Sequence, residues 1–368
     1  MLADLAMRDG REVVAFDLFG DCDLRRRASR VVTPADVGGG GLTALVDAAA
    51  DVPARGVVYG ASFENHPALV ARLGRRHALL GNAPQTLRAV RDPQRLGAVL
   101  RDAGLMYPRT FAAAPDARAG RWLRKPLRGG GGTRVRDWRG GQLPRGTVVQ
   151  ERIGGLACSA AAAGDGADAV VLGICEQLIG EPAFGVRGYR WCGNVAPPRL
   201  PAAERDALGC QARAICSQVA AAFALRGLFG VDLIWDREHA WTIEVNPRPT
   251  ASLEVIEAMQ THPPEVGIFD AHLRACAGEL PRIEVGHGRA AGKAVLFATE
   301  DVVIGDSERW LERGVRDVPH PGERIAAGHP ICTVMAAGAT PEGALAGLEE
   351  EVARLRAELV GMEVAAGG

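Results

Sequence analysis

The chain has 368 residues, enough for two or three domains with a sizeable core, and a formal net charge of −1. Balanced charge offers no field for a nucleic acid or an acidic surface, and no apolar run approaches the roughly 18–20 residues of a membrane span. Its eight cysteines lack Cys-x-x-Cys spacing and the start has no secretory pattern, so they read as buried apolar residues of a cytoplasmic chain rather than disulfides or zinc ligands.

In chain order, a helix through Leu2, Leu5 and Ala6 ends at Gly10 and is followed by a short apolar strand over residues 12–17. Val31-Val32 and residues 56–60 are further strand candidates around a helix at 42–50, and residues 67–76 are helical. This alternation predicts a small open α/β domain over residues 1–84. Gly38–Gly41 is not followed by Lys-Ser/Thr, which excludes a Walker nucleotide loop. Residues 84–105 read as helical, with a helix start at Asp92-Pro93.

Only two of the 43 basic residues are lysines, Lys125 and Lys293. In a chain that otherwise uses arginine, a lysine marks a place where a compact ammonium is wanted rather than a planar fork. Lys125 ends a strand and precedes Gly129, Gly130, Gly131 and Gly132, whose backbone can approach a phosphate closely. Lys293 reads as chance retention, tolerant of arginine. Residues 147–151 form an apolar strand running into a polar linker through Gln150, Glu151 and Ile153, whose backbone can pair with a base edge. Strands at 157–163 and 169–177 flank a Gly164-Asp165-Gly166 turn, and a long helix covers about 202–225.

Two strands then form a hairpin, Gly230–Trp235 and Trp241–Val245, joined by a polar turn and stopped at Pro247. Alternation puts Glu244 and Asn246 on one face, and Asp232 lies on the partner strand. Two carboxylates and an amide oxygen suit Mg²⁺ or Mn²⁺, hard cations that keep positions open for phosphate. Helices follow at 251–259 and 267–277. From Ile283 the texture changes to short strands at 293–297, 301–304 and 331–335, closed by a helix at 341–359. His320 and His329, among prolines and glycines, read as surface turn residues.

The order of these parts resembles the ATP-grasp superfamily, and more closely its predicted carboligase branch, related to biotin carboxylase and tyramine–glutamate ligase. Asp17-Leu18-Phe19-Gly20-Asp21, Tyr59-Gly60-Ala61-Ser62-Phe63-Glu64, Leu80-Gly81-Asn82 and Gly193–Pro198 look like that branch as well. The resemblance implies an ATP-grasp fold of mixed α/β and α+β class. It divides the chain into a pre-ATP-grasp α/β domain at 1–84 (its first strand missing), the ATP-grasp domain at 85–275, and a small β-rich domain with a C-terminal helix at 276–368.

It further implies ATP between two β-layers, its phosphates under Lys125 and the Gly129–Gly132 loop. The adenine would lie near Gln150, Glu151 and Ile153, Mg²⁺ on Asp232, Glu244 and Asn246, and Arg248 at the γ-phosphate. A second phosphate-binding lysine common in the superfamily is absent near Asp92-Pro93, where Arg91 or Arg95 would substitute. The implied chemistry joins a small-molecule carboxylic acid to an amine through an acyl phosphate; the sharpest form is glutamate ligation in biosynthesis of a C1-carrier cofactor. Biotin-carboxylase-like carboxylation and a non-catalytic ATP-binding subunit are the alternatives, and a homodimer is left open.

Overall fold

The computed structural model describes residues 1–114, 121–260, 266–281 and 288–366. The N-terminal unit contains α1 (Leu2–Arg8), β1 (Val14–Phe16), α2 (Cys22–Arg27), β2 (Arg30–Val32), α3 (Gly41–Ala49) and α4 (Pro67–Leu73). β1 and β2 pair in parallel, and Val57 makes a parallel bridge to Leu79, as alternating strands and helices predict. Residues 84–105 hold two helices, α5 (Pro84–Val90) and α6 (Pro93–Asp102). The break is local chemistry: Asp92 accepts from the amides of Gln94 and Arg95, and Pro93 occupies the first turn.

β3 (Thr110–Phe111), β4 (Trp122–Pro126), β5 (Arg136–Trp138) and β6 (Thr147–Glu151) form a four-stranded antiparallel sheet in the order β3-β6-β4-β5. The larger layer uses β7 (Leu156–Asp165), β8 (Ala169–Ile179), β9 (Trp191–Ala196), β10 (Arg226–Trp235) and β11 (Ala240–Asn246), with α7 (Ala202–Phe223) between β9 and β10. Phe229, Val231 and Leu233 pack with Cys158, Ala160 and Ala162 against the inner face of α7. Residues one position along each strand therefore face the other way, toward α8 (Ser252–Ala258) and α9 (Ile268–Ala277).

The expected separate β-rich unit at 276–368 does not stand apart. β12 (Ala290–Phe297) and β15 (Pro330–Gly338) extend the same antiparallel sheet, in the order β11-β10-β7-β8-β9-β12-β15. Only β13 (Val302–Val303) and β14 (Arg324–Ile325) pair by themselves, and α10 (Pro341–Ala366) packs its Leu348, Val352 and Leu355 on the extended sheet. Ile283, where the sequence texture changes, lies outside the described residues.

Three buried contacts seat the N-terminal unit. Asn82 donates to the Pro247 carbonyl (3.0 Å) and accepts from the Arg226 amide (2.9 Å). His272 accepts from the Leu228 amide, which leaves its Nε2–H to donate to the Leu80 carbonyl; burial lowers its pKa to about 4, so it stays neutral. His320 is also more than a surface turn residue: its Nε2 meets the Gly20 carbonyl at 2.9 Å and its Nδ1 lies 3.3 Å from the Cys22 sulfur.

Lys293 corrects the expectation of chance retention. It points from β12 into the space below α8, where its ammonium binds Glu254, and Arg316 holds the other carboxylate oxygen at 2.6 Å. The side chains of Lys293 and Glu254 are 7% and 2% exposed. Substitution by arginine is therefore not neutral: a longer fork must fit a closed site already holding a guanidinium. Burial raises the Glu254 pKa, but Lys293, the chain's amino terminus and Arg316 outweigh it and hold it down to about 2. A depressed carboxylate stabilises the fold above its unfolded pKa and loses that contribution as pH falls toward the folded value. Glu254→Gln should cost about 3–5 kcal/mol at neutral pH by leaving Lys293 buried and uncompensated. In urea melts the gap to wild type should narrow from about pH 4.5 toward pH 2; a gap independent of pH would contradict this account.

Candidate active site

The register of β10 and β11 sets Asp232 opposite Glu244 and Gly230 opposite Asn246, with a bulge directly after Asp232. Bulges re-aim side chains, and here one falls beside the facing carboxylates. Asn246 donates to Asp232 Oδ2 at 3.1 Å, and Gln177 on β8 donates to Oδ1 at 3.0 Å. Gln177 was not singled out in the sequence, although alternation along its strand gives it the same face as Asp232. Burial and the neighbouring Glu244 raise the Asp232 pKa to about 7. Burial also pushes Glu244 up, but Arg91 and Lys125 prevail and hold it below its ordinary value. Any proton shared by the pair therefore favours Asp232 over Glu244, a place that a divalent cation can take.

Lys125 and Arg91 lie across the cleft from this hairpin. Lys125 Nζ donates to Gln150 Oε1 at 3.0 Å, and burial lowers its pKa against the pull of Glu244 and Asp232. Arg91 lies 3.4 Å from Glu244 and donates to the Gly129 carbonyl at 3.2 Å. Arg95 instead stacks over Phe223, 5.6 Å from its centroid, so of the two arginines Arg91 faces the site. The half-open cleft lined by Arg91, Lys125, Gln150 and Glu244 measures about 50 Å³. Ligand pockets span roughly 300–1,000 Å³, so the two layers must part to admit a nucleotide-sized molecule.

The four glycines divide by task. Gly129 spends its N–H on Asn65 Oδ1 (3.1 Å), and Gly131 accepts from the Trp191 amide (3.0 Å). Gly132 has φ +68°, and a Cβ there would sit 1.8 Å from the Tyr189 carbonyl oxygen, so glycine is required for packing against the turn before β9. Among the described residues, the amides of Gly130, Gly131 and Gly132 have no protein acceptor and are the donors left for an anion.

Two expected neighbours separate. Gln150 is buried and lines the cleft. Glu151, the next residue on the strand, faces away and pairs with Arg109 through contacts of 2.9 and 3.0 Å. Its carboxylate is therefore not brought to the cleft, while Ile153 sits half-buried in the linker to β7. Arg248 joins the hairpin end to the N-terminal unit. Its Nε donates to Glu64 at 3.0 Å and its Nη2 reaches Asn246 Oδ1 at 3.4 Å.

The oxygen set of Asp232, Glu244 and Asn246 fits Mg²⁺ in kind. Glu244 has Arg91 at 3.4 Å while Asp232 is bonded only by amides, and no cluster of three His, Cys, Asp or Glu side chains occurs among the described residues. The Asn246 oxygen is turned to Arg248 in this conformation, so it would have to be shared with, or released to, a metal.

A family model described as an ATP-grasp domain matches residues 91–252. No curated protein sequence matches the chain significantly. Among solved structures, the biotin carboxylase domain of Hydrogenobacter thermophilus 2-oxoglutarate carboxylase, in complex with MgADP, ADP and bicarbonate, is 15% identical with a TM-score of 0.69. That match covers 92% of this chain and 83% of that one. The L-amino acid ligase of Bacillus licheniformis is 16% identical with a TM-score of 0.66, covering 96% and 93%. N5-carboxyaminoimidazole ribonucleotide synthetase of Thermotoga maritima is 15% identical with a TM-score of 0.65, covering 96% and 94%. At these identities the likeness is one of fold.

The metal reading of the hairpin has a direct check. Mn²⁺ titration followed by electron paramagnetic resonance should show a bound ion in the wild type and its loss in Glu244→Gln. Equal binding by both would mark the hairpin as an ordinary salt-bridged edge.

Proposed function

We propose, on the match of residues 91–252 to an ATP-grasp domain model, that this chain is an ADP-forming carboxylate–amine ligase using ATP and Mg²⁺. The observation that carries this reading is one cleft with opposite charges on its two walls. Glu244 lines one side, backed in its hairpin by Asp232 and Asn246, and Lys125 and Arg91 line the other.

Mg²⁺, when bound, supplies Lewis-acid neutralisation of phosphate oxygens, and Asp232, Glu244 and Asn246 would hold it. Lys125 and Arg91 would set positive charge against the phosphates, with the free amides of Gly130, Gly131 and Gly132 as further donors. Arg248 would face the γ-phosphate and then the acyl phosphate. A carboxylate oxygen of the acid attacks the γ-phosphorus and ADP leaves. The amine nitrogen then attacks the acyl carbon, phosphate leaves and one proton is released. No strong general base is demanded, because positioning and charge neutralisation carry most of the barrier.

The narrower form of the proposal is glutamate ligation to the precursor of a C1-carrier cofactor, supported by the resemblance to tyramine–glutamate ligase. A second reading, carboxylation with bicarbonate as the activated acid, is favoured by the fold likeness to a biotin carboxylase domain. A screen of ADP formation against acids, including glutamate and bicarbonate, with and without amines, separates the two. A ligase gives a product of mass acid plus amine minus water. Bicarbonate-dependent ADP formation with a carboxylated product would replace the ligase reading, and no ATP turnover across the panel would remove both.

Lys125→Arg tests the charge geometry within that assay. A planar fork displaces the phosphate or the glycine loop by about 1 Å, and misplacement on that scale lowers turnover about 100-fold. Wild-type turnover in this variant would mean that any cation serves there.

A further inference from the structure

The Ser62–Asn65 turn of the N-terminal unit touches both halves of the candidate nucleotide site. Ser62 has φ 79°, a left-handed backbone that serine rarely adopts, and residues 63–65 turn directly after it. From this turn Glu64 reaches Arg248 and Asn65 reaches the glycine loop. Asn65 makes two bonds to one residue, accepting from the Gly129 amide at 3.1 Å and donating to its carbonyl at 3.4 Å. Glu64 is 4% exposed and pairs with Arg248, whose side chain is 13% exposed.

The way Glu64 binds is informative. Both guanidinium contacts, Nε at 3.0 Å and Nη2 at 2.9 Å, fall on Oε1. The other oxygen, Oε2, is buried without a donor. A buried carboxylate oxygen left unpaired is costly and calls for a second role. Arg248 is meanwhile held from three sides: by Glu64, by the Asn246 side-chain oxygen at 3.4 Å, and by the Pro249 carbonyl at 3.1 Å. Of its five N–H donors, one Nη1 hydrogen remains without an acceptor among the described residues. Asn246 in turn bonds Asp232, so a continuous chain runs from Glu64 through Arg248 and Asn246 to the facing carboxylates.

We infer that Glu64 is a positioning residue that aims the free N–H of Arg248 at the terminal phosphate of ATP, resting on the function proposed above. The spare Oε2 lets the pair shift from one hydrogen bond and one close ion-pair contact on a single oxygen to one bond on each while Arg248 turns toward phosphate. Asn65 acts on the other half of the site, holding the glycine loop that would cover phosphates common to ADP and ATP.

These two roles predict different nucleotide signatures from adjacent residues. Glu64→Gln keeps an acceptor where both Arg248 bonds fall but removes the charge and turns the Oε2 position into a donor. Mg²⁺ complexes of ADP and of the non-hydrolysable analogue AMP-PNP, titrated calorimetrically into the full chain, read the difference. In Glu64→Gln the affinity for AMP-PNP should fall about tenfold, the worth of one charge-assisted bond, while ADP changes less than about twofold. Asn65→Ala should weaken both nucleotides alike. Equal losses for both nucleotides in Glu64→Gln, or none, would overturn the inference and leave Glu64 a structural clasp. Wild-type protein that bound neither nucleotide would instead remove the proposed function on which it rests. Glu64→Asp, which keeps the charge on a shorter arm, should recover part of the AMP-PNP preference, and no recovery would count against the inference.

Discussion

Two carboxylates set opposite each other on neighbouring strands repel unless a proton or a cation lies between them. The register that faces Asp232 with Glu244 creates this condition, and much of the surrounding chemistry answers it. Arg91 and Lys125 pull Glu244 down, burial and Glu244 push Asp232 up, and amides from Gln177 and Asn246 bond the two oxygens of Asp232. Such a pair is an unfavourable core and a favourable cation site. Its persistence within a well-packed sheet is the main physical reason to read the cleft as functional.

The same face of the large sheet carries polar groups well beyond the hairpin. Asn194 sits opposite Gln177 on one side and Lys293 on the other, and all three look toward the helical layer and the N-terminal unit. The opposite face is filled by α7 beneath the hairpin and α10 beneath the C-terminal strands. On the first face a row of buried polar groups runs beside an apolar cluster built on α8 and α9. The Glu254–Lys293–Arg316 cluster lies on that face and binds α8, which follows the β10–β11 hairpin directly, to the C-terminal strands. A shift of those strands would be felt one helix away from Arg248.

Much of this was legible locally. The hairpin, its turn and the face shared by Glu244 and Asn246 follow from period-two alternation and a polar turn. The break at Asp92-Pro93 follows from a capping side chain and a proline. Alternation also carried a signal that was not used: Gln150 and Glu151 are adjacent on a strand, so only one of them could enter the cleft. The strand order was not legible, because β9 beside β12 joins segments separated by a helix, a hairpin and two further helices. Lys293 was misread for the same reason. A lysine on a strand looks solvated until its partner, here Glu254 on a helix far away in sequence, is known. Glu64 ends a segment that resembles a family feature and Asn65 follows it, but their contacts with Arg248 and Gly129 are purely tertiary.

The central claim is that a divalent cation and the phosphates of a nucleotide meet between the Asp232–Glu244 pair and Lys125. A crystal structure of the chain with Mn²⁺ and AMP-PNP, with anomalous data collected at the manganese edge, tests it most directly. The account predicts an anomalous peak bonded to Asp232 and Glu244, with the terminal phosphates between that ion and the ammonium of Lys125. A nucleotide bound elsewhere, or a cleft holding phosphates with no ion on the hairpin, would contradict it.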